Sequence, residues 1–179
     1  MKNIIQHIQK WFVAKQEYFE SFARNDTRVE SWFKAELLVL FERLKSQGLI
    51  YSFEREANLR TNKGRKQIDF ILKVKDVEHL CELKAMCISQ AMGTPRNLSF
   101  YFRDDRVGLI KDFKKLDQIR DGNKWVIAFI YPKPTQADWQ EVITSLPKDI
   151  RHWHCATKIE DYLEYLFIAL WNSQMGKIG

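Results

Sequence analysis

Three cysteines in 179 residues are too few and too odd in number for a disulfide framework. Cys81, Cys87 and Cys155 also lack C-x-x-C spacing, so a reduced, cytoplasmic setting is the expectation. No apolar run reaches the roughly 18–20 residues of a membrane span, and no membrane partner is expected. The opening residues MKNIIQHIQK lack the basic head, long apolar middle and small-residue cleavage site of a secretory leader. With only 4 prolines and 7 glycines, the chain has no Ser/Gly/Pro-rich linker, and it shows no internal repeat or low-complexity stretch. One domain spanning 1–179 is therefore expected, with a helix in 1–25, a core in 27–131 and a C-terminal strand and helices in 135–179.

What is present is an ordinary globular balance: 45% apolar and 29% charged residues. The formal net charge of +6 and pI of about 9.2 favour a polyanionic partner. Apolar residues at helical spacing predict an amphipathic helix over 4–22. Thr27 followed by Glu30 is a capping-box pattern, which predicts a second helix with the apolar stripe Phe33, Leu37, Leu40, Phe41 and Leu44, ending near Gly48. A strand is expected over 49–59 and a loop or irregular helix over 89–103. A helix capped by Asp105 should run to about Ile119. The run WVIAFIY at 125–131, apolar on both faces, predicts a strand in the middle of a sheet. Thr135 with Asp138 predicts a cap for a short helix. A last strand is expected over 151–156 and an apolar helix over 159–171 carrying Tyr162, Leu163, Leu166, Phe167, Leu170 and Trp171. Such a helix serves as core or as a dimer surface.

The segments KQIDFILKV and HLCELKAM alternate as half-buried strands do. In the first, Asp69 lies on the face opposite Ile68, Phe70 and Leu72. In the second, Leu80, Glu82 and Lys84 share a face. A turn through 75–78 makes them an antiparallel hairpin. If Lys75 pairs with Glu78, Ile71 faces Glu82 and Asp69 faces Lys84. Two carboxylates and an ammonium then converge on one patch, which suits a hard divalent cation and a positioned water. Glu36 sits in the row Trp32–Glu36–Leu40, flanking the apolar stripe of its helix. It either pairs with a nearby Lys or Arg or reaches this patch.

An inward helix Glu, a strand Asp, a turn, a strand Glu-x-Lys and a later central apolar strand together resemble the PD-(D/E)xK superfamily of restriction-endonuclease-like nucleases over about residues 28–131. The resemblance implies an α/β fold whose mixed central sheet is flanked by helices, here with an extra N-terminal helix. It implies Mg²⁺, or Mn²⁺, held by Asp69, Glu82 and the Leu83 carbonyl. Lys84 orients the attacking water, and Glu36 anchors a metal-bound water or a second metal. Ile68 stands where the name-giving Pro would be.

The basic turn Arg60, Lys63, Arg65 and Lys66 precedes the Asp69 strand and could meet phosphates, or be a solvated turn. Arg96, Arg103 and Arg106 border the later loop. His152, His154 and Cys155 show no second ligand pair for zinc and read as structural. His79 falls on the wrong face to serve the patch. The resulting expectation is a metal-dependent endonuclease acting on nucleic acid, most simply DNA, in defence, mobile-element or repair biology, and possible as a homodimer. The alternative is a non-catalytic nucleic-acid- or protein-binding module on the same fold.

Overall fold

A computed structural model describes residues 1–61, 64–88, 97–105, 108–159 and 165–173. The order is α1 (Lys2–Val13), α2 (Gln16–Arg24), α3 (Glu30–Ser46), β1 (Ser52–Thr61), β2 (Gly64–Val74), β3 (Val77–Cys87), α4 (Leu109–Asp117), β4 (Asn123–Tyr131), α5 (Gln136–Thr144), β5 (His154–Cys155) and β6 (Phe167–Asn172). The fold is α/β, with a mixed six-stranded sheet ordered β1-β2-β3-β4-β6-β5. Its β3–β4 pair is parallel, joined through α4, and its other pairs are antiparallel. One face packs on α1, α2 and α3. The other packs on α4, α5 and a 3-10 turn at Leu98–Tyr101. Among the described residues, no helix is long and apolar enough to cross a membrane.

The helix expected over 4–22 is two helices. An unbroken helix would set Phe12 and Phe19 about 10 Å apart along one axis. The break at Ala14–Lys15 instead brings both rings onto Phe33, with centroids at 5.5 and 5.8 Å. At α3 the capping box does not form. Thr27 Oγ1 donates to Asn25 O, and the N-cap Val29 supplies no side-chain bond. Tyr131 fills in from β4: its hydroxyl accepts from Val29 N (3.3 Å) and donates to Thr27 O (3.0 Å). The cap at α5 does form, Thr135 Oγ1 accepting from Asp138 N at 3.1 Å.

The C-terminal segment departs most from expectation. Phe167–Asn172 is a strand between β4 and β5, buried on both faces, and not part of a helix over 159–171. A continuous apolar run fits a two-sided buried strand as well as a buried helix, and pairing with β4 decides between them. Leu166, Phe167, Leu170 and Trp171 are 0–1% exposed, so they offer no dimer surface. Tyr162 and Leu163 lie outside the described residues. The expected strand at 151–156 reduces to His154–Cys155 at the sheet edge. There His152 Nε2 lies 3.1 Å from both Asp117 oxygens, a structural role.

His79 lies in the core beside Trp125, whose indole Nε1 donates to His79 Nδ1 at 2.9 Å. Burial lowers His79 to about 4, against an ordinary value of 6.5. The neutral form folds best, so this contribution is complete above pH 6.5 and drains away as pH falls toward 4. Unfolding free energy should drop by about 2 kcal/mol more between pH 7.5 and 5 than in His79→Gln. Denaturant titrations at both pH values check this, and equal slopes in the two proteins would contradict it.

Candidate functional site

The hairpin is tighter than expected. Val74 pairs with Val77, so Lys75 and Asp76 alone form the turn, with Lys75 at φ 56°. The ladder runs to Phe70↔Cys81. One further step sets Asp69 level with Glu82, not with Lys84. The shift is two residues, so the faces are kept.

Beyond that step the strands part. β1 and β2 also lack a rung at Glu56–Asp69, where Glu56 takes φ 54°. Ile68 then packs with the α4 side of the sheet, whereas Phe70 and Leu72 pack with the α3 side. β3 amides left without a β2 partner turn to carboxylates. Leu83 N donates to Asp69 Oδ2 (2.8 Å) and Ala85 N to Glu30 Oε2 (3.5 Å). This gap between β2 and β3 holds the site.

Charged groups reach it from both faces. From α3, Lys34 Nζ lies 2.7 Å from Asp69 Oδ1 and 3.3 Å from Glu30 Oε1. Burial works against this ammonium, but Asp69 and Glu30 outweigh it and raise Lys34 above its ordinary value. From α4, Asp112 Oδ2 pairs with Lys84 Nζ at 3.0 Å, and Lys115 Nζ bridges Glu82 Oε2 and the Gln67 carbonyl, the latter at 3.1 Å. Gly108 permits the approach to α4, because a Cβ there would stand 1.7 Å from Arg103 O. Four carboxyl groups meet three ammoniums, so ionising all four would leave one negative charge in excess.

Glu82 is only 3% exposed, and its Oε1 has no partner among the described residues. Burial and the neighbouring Asp69 charge push it up to about 8 in spite of Lys115. Burial likewise raises Asp112 despite Lys84. A buried carboxylate with a bare oxygen beside a second carboxylate is a poor apo arrangement that a hard cation would relieve. Asp69, Glu82 and Leu83, the residues expected to hold one, lie together at this gap. Among the described residues, no group of three or more His, Cys, Asp or Glu side chains forms a ready-made metal cage.

Glu36 does not join the site. Its Oε2 accepts from Trp11 Nε1 (2.8 Å) and lies 3.3 Å from Lys15 Nζ, so it ties α3 to α1. The α3 acid that does reach the gap is Glu30, which contacts Lys34 and accepts from Ala85 N. Glu30 and Glu36 lie about 120° apart around the helix: Glu30 falls on the line of Leu37 and Phe41 one turn before the stripe begins, and Glu36 borders the stripe beside Leu40. Arg60 and Arg65 are exposed cross-strand partners and Lys66 is half-buried. Lys63, Arg96 and Arg106 lie outside the described residues. Arg103 pairs with Asp105 at 3.0 Å. Sequence reasoning missed Glu30, Lys34, Asp112 and Lys115. The i,i+4 pair Glu30–Lys34 was the one local signal of the first two. The chain matches no family model, no curated protein and no solved structure.

Proposed function

We propose that this chain is a divalent-cation-dependent nuclease on a restriction-endonuclease-like core, hydrolysing phosphodiester bonds in nucleic acid, most simply DNA. The observation that carries this reading is the bare, buried Glu82 Oε1 beside Asp69, with Lys84 two residues further along the same strand. Mg²⁺, or Mn²⁺, would be held by Asp69, Glu82 and the Leu83 carbonyl, with water and substrate phosphate completing its shell. The chemistry such a cation supplies is charge neutralisation at the phosphate and a lowered pKa for a bound water. Lys84, steered by Asp112, is placed to hold a water or a phosphate oxygen. Lys34 and Glu30 close the site from α3.

Arg60 facing Arg65 adds support, since like charges directly opposite are unfavourable unless an anion lies between or near them. A phosphate backbone is such an anion. The three free cysteines suit a reduced, cytoplasmic setting, and a homodimer would let two such sites meet two strands.

The test is cleavage of plasmid and single-stranded DNA with Mg²⁺ or Mn²⁺. Wild type should cut and EDTA should stop it. Glu30→Gln should slow cutting by about tenfold or more, whereas Glu36→Gln should stay within about twofold of wild type. The reverse ranking would return the helix acid to Glu36.

One observation favours a second reading. Lys34, Lys84 and Lys115 each already pair with a carboxylate, so the network is nearly closed without a metal. A non-catalytic nucleic-acid- or protein-binding module would look like this. Salt-sensitive DNA binding, with no cation binding and no cleavage, would select it.

A further inference from the structure

At the turn end of the β2–β3 hairpin, away from the gap that holds Asp69, lies a cleft of about 910 Å³ between α1, the end of α3 and the sheet. Its size falls within the range of about 300–1,000 Å³ usual for small-molecule sites. The floor includes Ile50, Trp125 and His79. Lys45 and Lys75 stand on its wall, both exposed, and neither pairs with a carboxylate among the described residues. Tyr51, 72% exposed as a residue, also lines it, with the Lys73 ammonium 5.2 Å from its ring centroid. Among the described residues, no Asp or Glu lines the cleft.

His79 supplies the specific feature. An indole N–H can only donate, so the Trp125 bond requires a bare Nδ1. The neutral ring therefore carries its proton on Nε2. The residue is 6% exposed, and Nε2 has no partner among the described residues. His79 lines the cleft, so a donor open to it meets water when the cleft is empty and an acceptor of a ligand when it is filled. The walls ask for a flat apolar body against Trp125 and Tyr51, and the two lysines ask for an anion. A fatty acid supplies the anion but no acceptor on its body. A heterocycle with ring carbonyls and a phosphate arm supplies all three.

We infer that this cleft binds a nucleoside monophosphate, its base over the His79–Trp125 floor and its phosphate toward Lys45 and Lys75. The shared chemistry admits a free nucleotide or the phosphorylated end of a strand. The site does not depend on the candidate metal site and stands whether or not the chain cuts nucleic acid.

Equilibrium dialysis of the full chain in EDTA tests it, using thymidine monophosphate, thymidine, inorganic phosphate and an end-phosphorylated thymidine oligonucleotide. Thymidine monophosphate should bind with Kd below about 1 mM, and thymidine and phosphate each at least about tenfold more weakly. Lys45→Glu with Lys75→Asn should weaken binding about tenfold or more, and Tyr51→Ala should weaken it too. All three positions are exposed, and Asn tolerates the positive φ at position 75. Asp69→Ala should bind as wild type does. A tighter oligonucleotide assigns the cleft to strand ends, and a tighter mononucleotide assigns it to free nucleotide. No binding of either overturns the inference, as does binding lost in Asp69→Ala but kept in the Lys45, Lys75 double variant.

Discussion

Glu82→Gln should cut DNA about 10²–10³-fold more slowly than wild type and yet unfold at a higher temperature in the absence of divalent cation. The two effects have one cause. In the folded chain the Glu82 carboxyl is buried beside Asp69 and raised to about 8, above its ordinary 4.5. A raised acid folds best when protonated. Its penalty is absent below pH 4.5, grows as pH rises, and is complete above pH 8. At pH 7 this penalty would be on the order of 3 kcal/mol, because folding must then take up a proton at Glu82, and the isosteric amide avoids it while still accepting from Lys115. Bound Mg²⁺ reverses the sign, because the charged form then has its counterion. Wild type should gain thermal stability on Mg²⁺ addition, more at pH 8 than at pH 5, and Glu82→Gln should not. Melting curves with and without Mg²⁺, beside plasmid cleavage rates, check both halves. A Glu82→Gln protein that cuts normally removes Glu82 from the site. One that is less stable without cation shows that the Lys115 pair outweighs burial.

The hairpin that carries Asp69, Glu82 and Lys84 was legible because strand alternation is a two-residue period, and an error of two residues in register leaves the faces unchanged as far as the break at Asp69, beyond which Ile68 changes sides. The register itself was not legible. A two-residue turn normally announces itself with Gly or Asn at positive φ, and here Lys75 takes that conformation. The β4 run was legible as a central strand because it is apolar on both faces. The same property misled at β6, where length and pairing rather than composition separate strand from helix.

The acid contributed by α3 shows a deeper limit. A helical wheel places Glu30 on the line of the apolar stripe at its first turn and Glu36 on its border, but does not show which of the two faces the hairpin. That choice is made by α1 and α2, whose Trp11 and Lys15 claim Glu36. Asp112 and Lys115 were invisible for a related reason. A charged residue on an amphipathic helix reads as solvent-facing until the sheet beneath is known to carry Glu82 and Lys84.

Phe129→Ala should destabilise the protein by about 4 kcal/mol, lowering its melting temperature on the order of 10 °C. Phe129 is fully buried on central strand β4. Its ring stacks on Phe33 with centroids 4.1 Å apart at 23°, and meets Phe12 edge-on at 4.9 Å and 69°. Removing it opens a cavity among three helices' worth of aromatic side chains, since Phe19 also packs on Phe33. Large rings relax poorly into such a void, so the upper half of the usual cost applies. The effect should also reach the site. Phe33 sits between Glu30 and Lys34 on the first turns of α3, and its stack on Phe129 sets how that end of the helix meets the sheet. Loosening it should weaken the 2.7 Å Lys34–Asp69 contact and slow cleavage well below the unfolding temperature. Phe129→Leu should retain most of the stability and the rate, because a branched aliphatic side chain fills part of the volume. Chemical denaturation with parallel cleavage assays separates the outcomes. A cost under about 1.5 kcal/mol would show that the aromatic cluster repacks around the gap and does not anchor the Glu30–Lys34 end of α3.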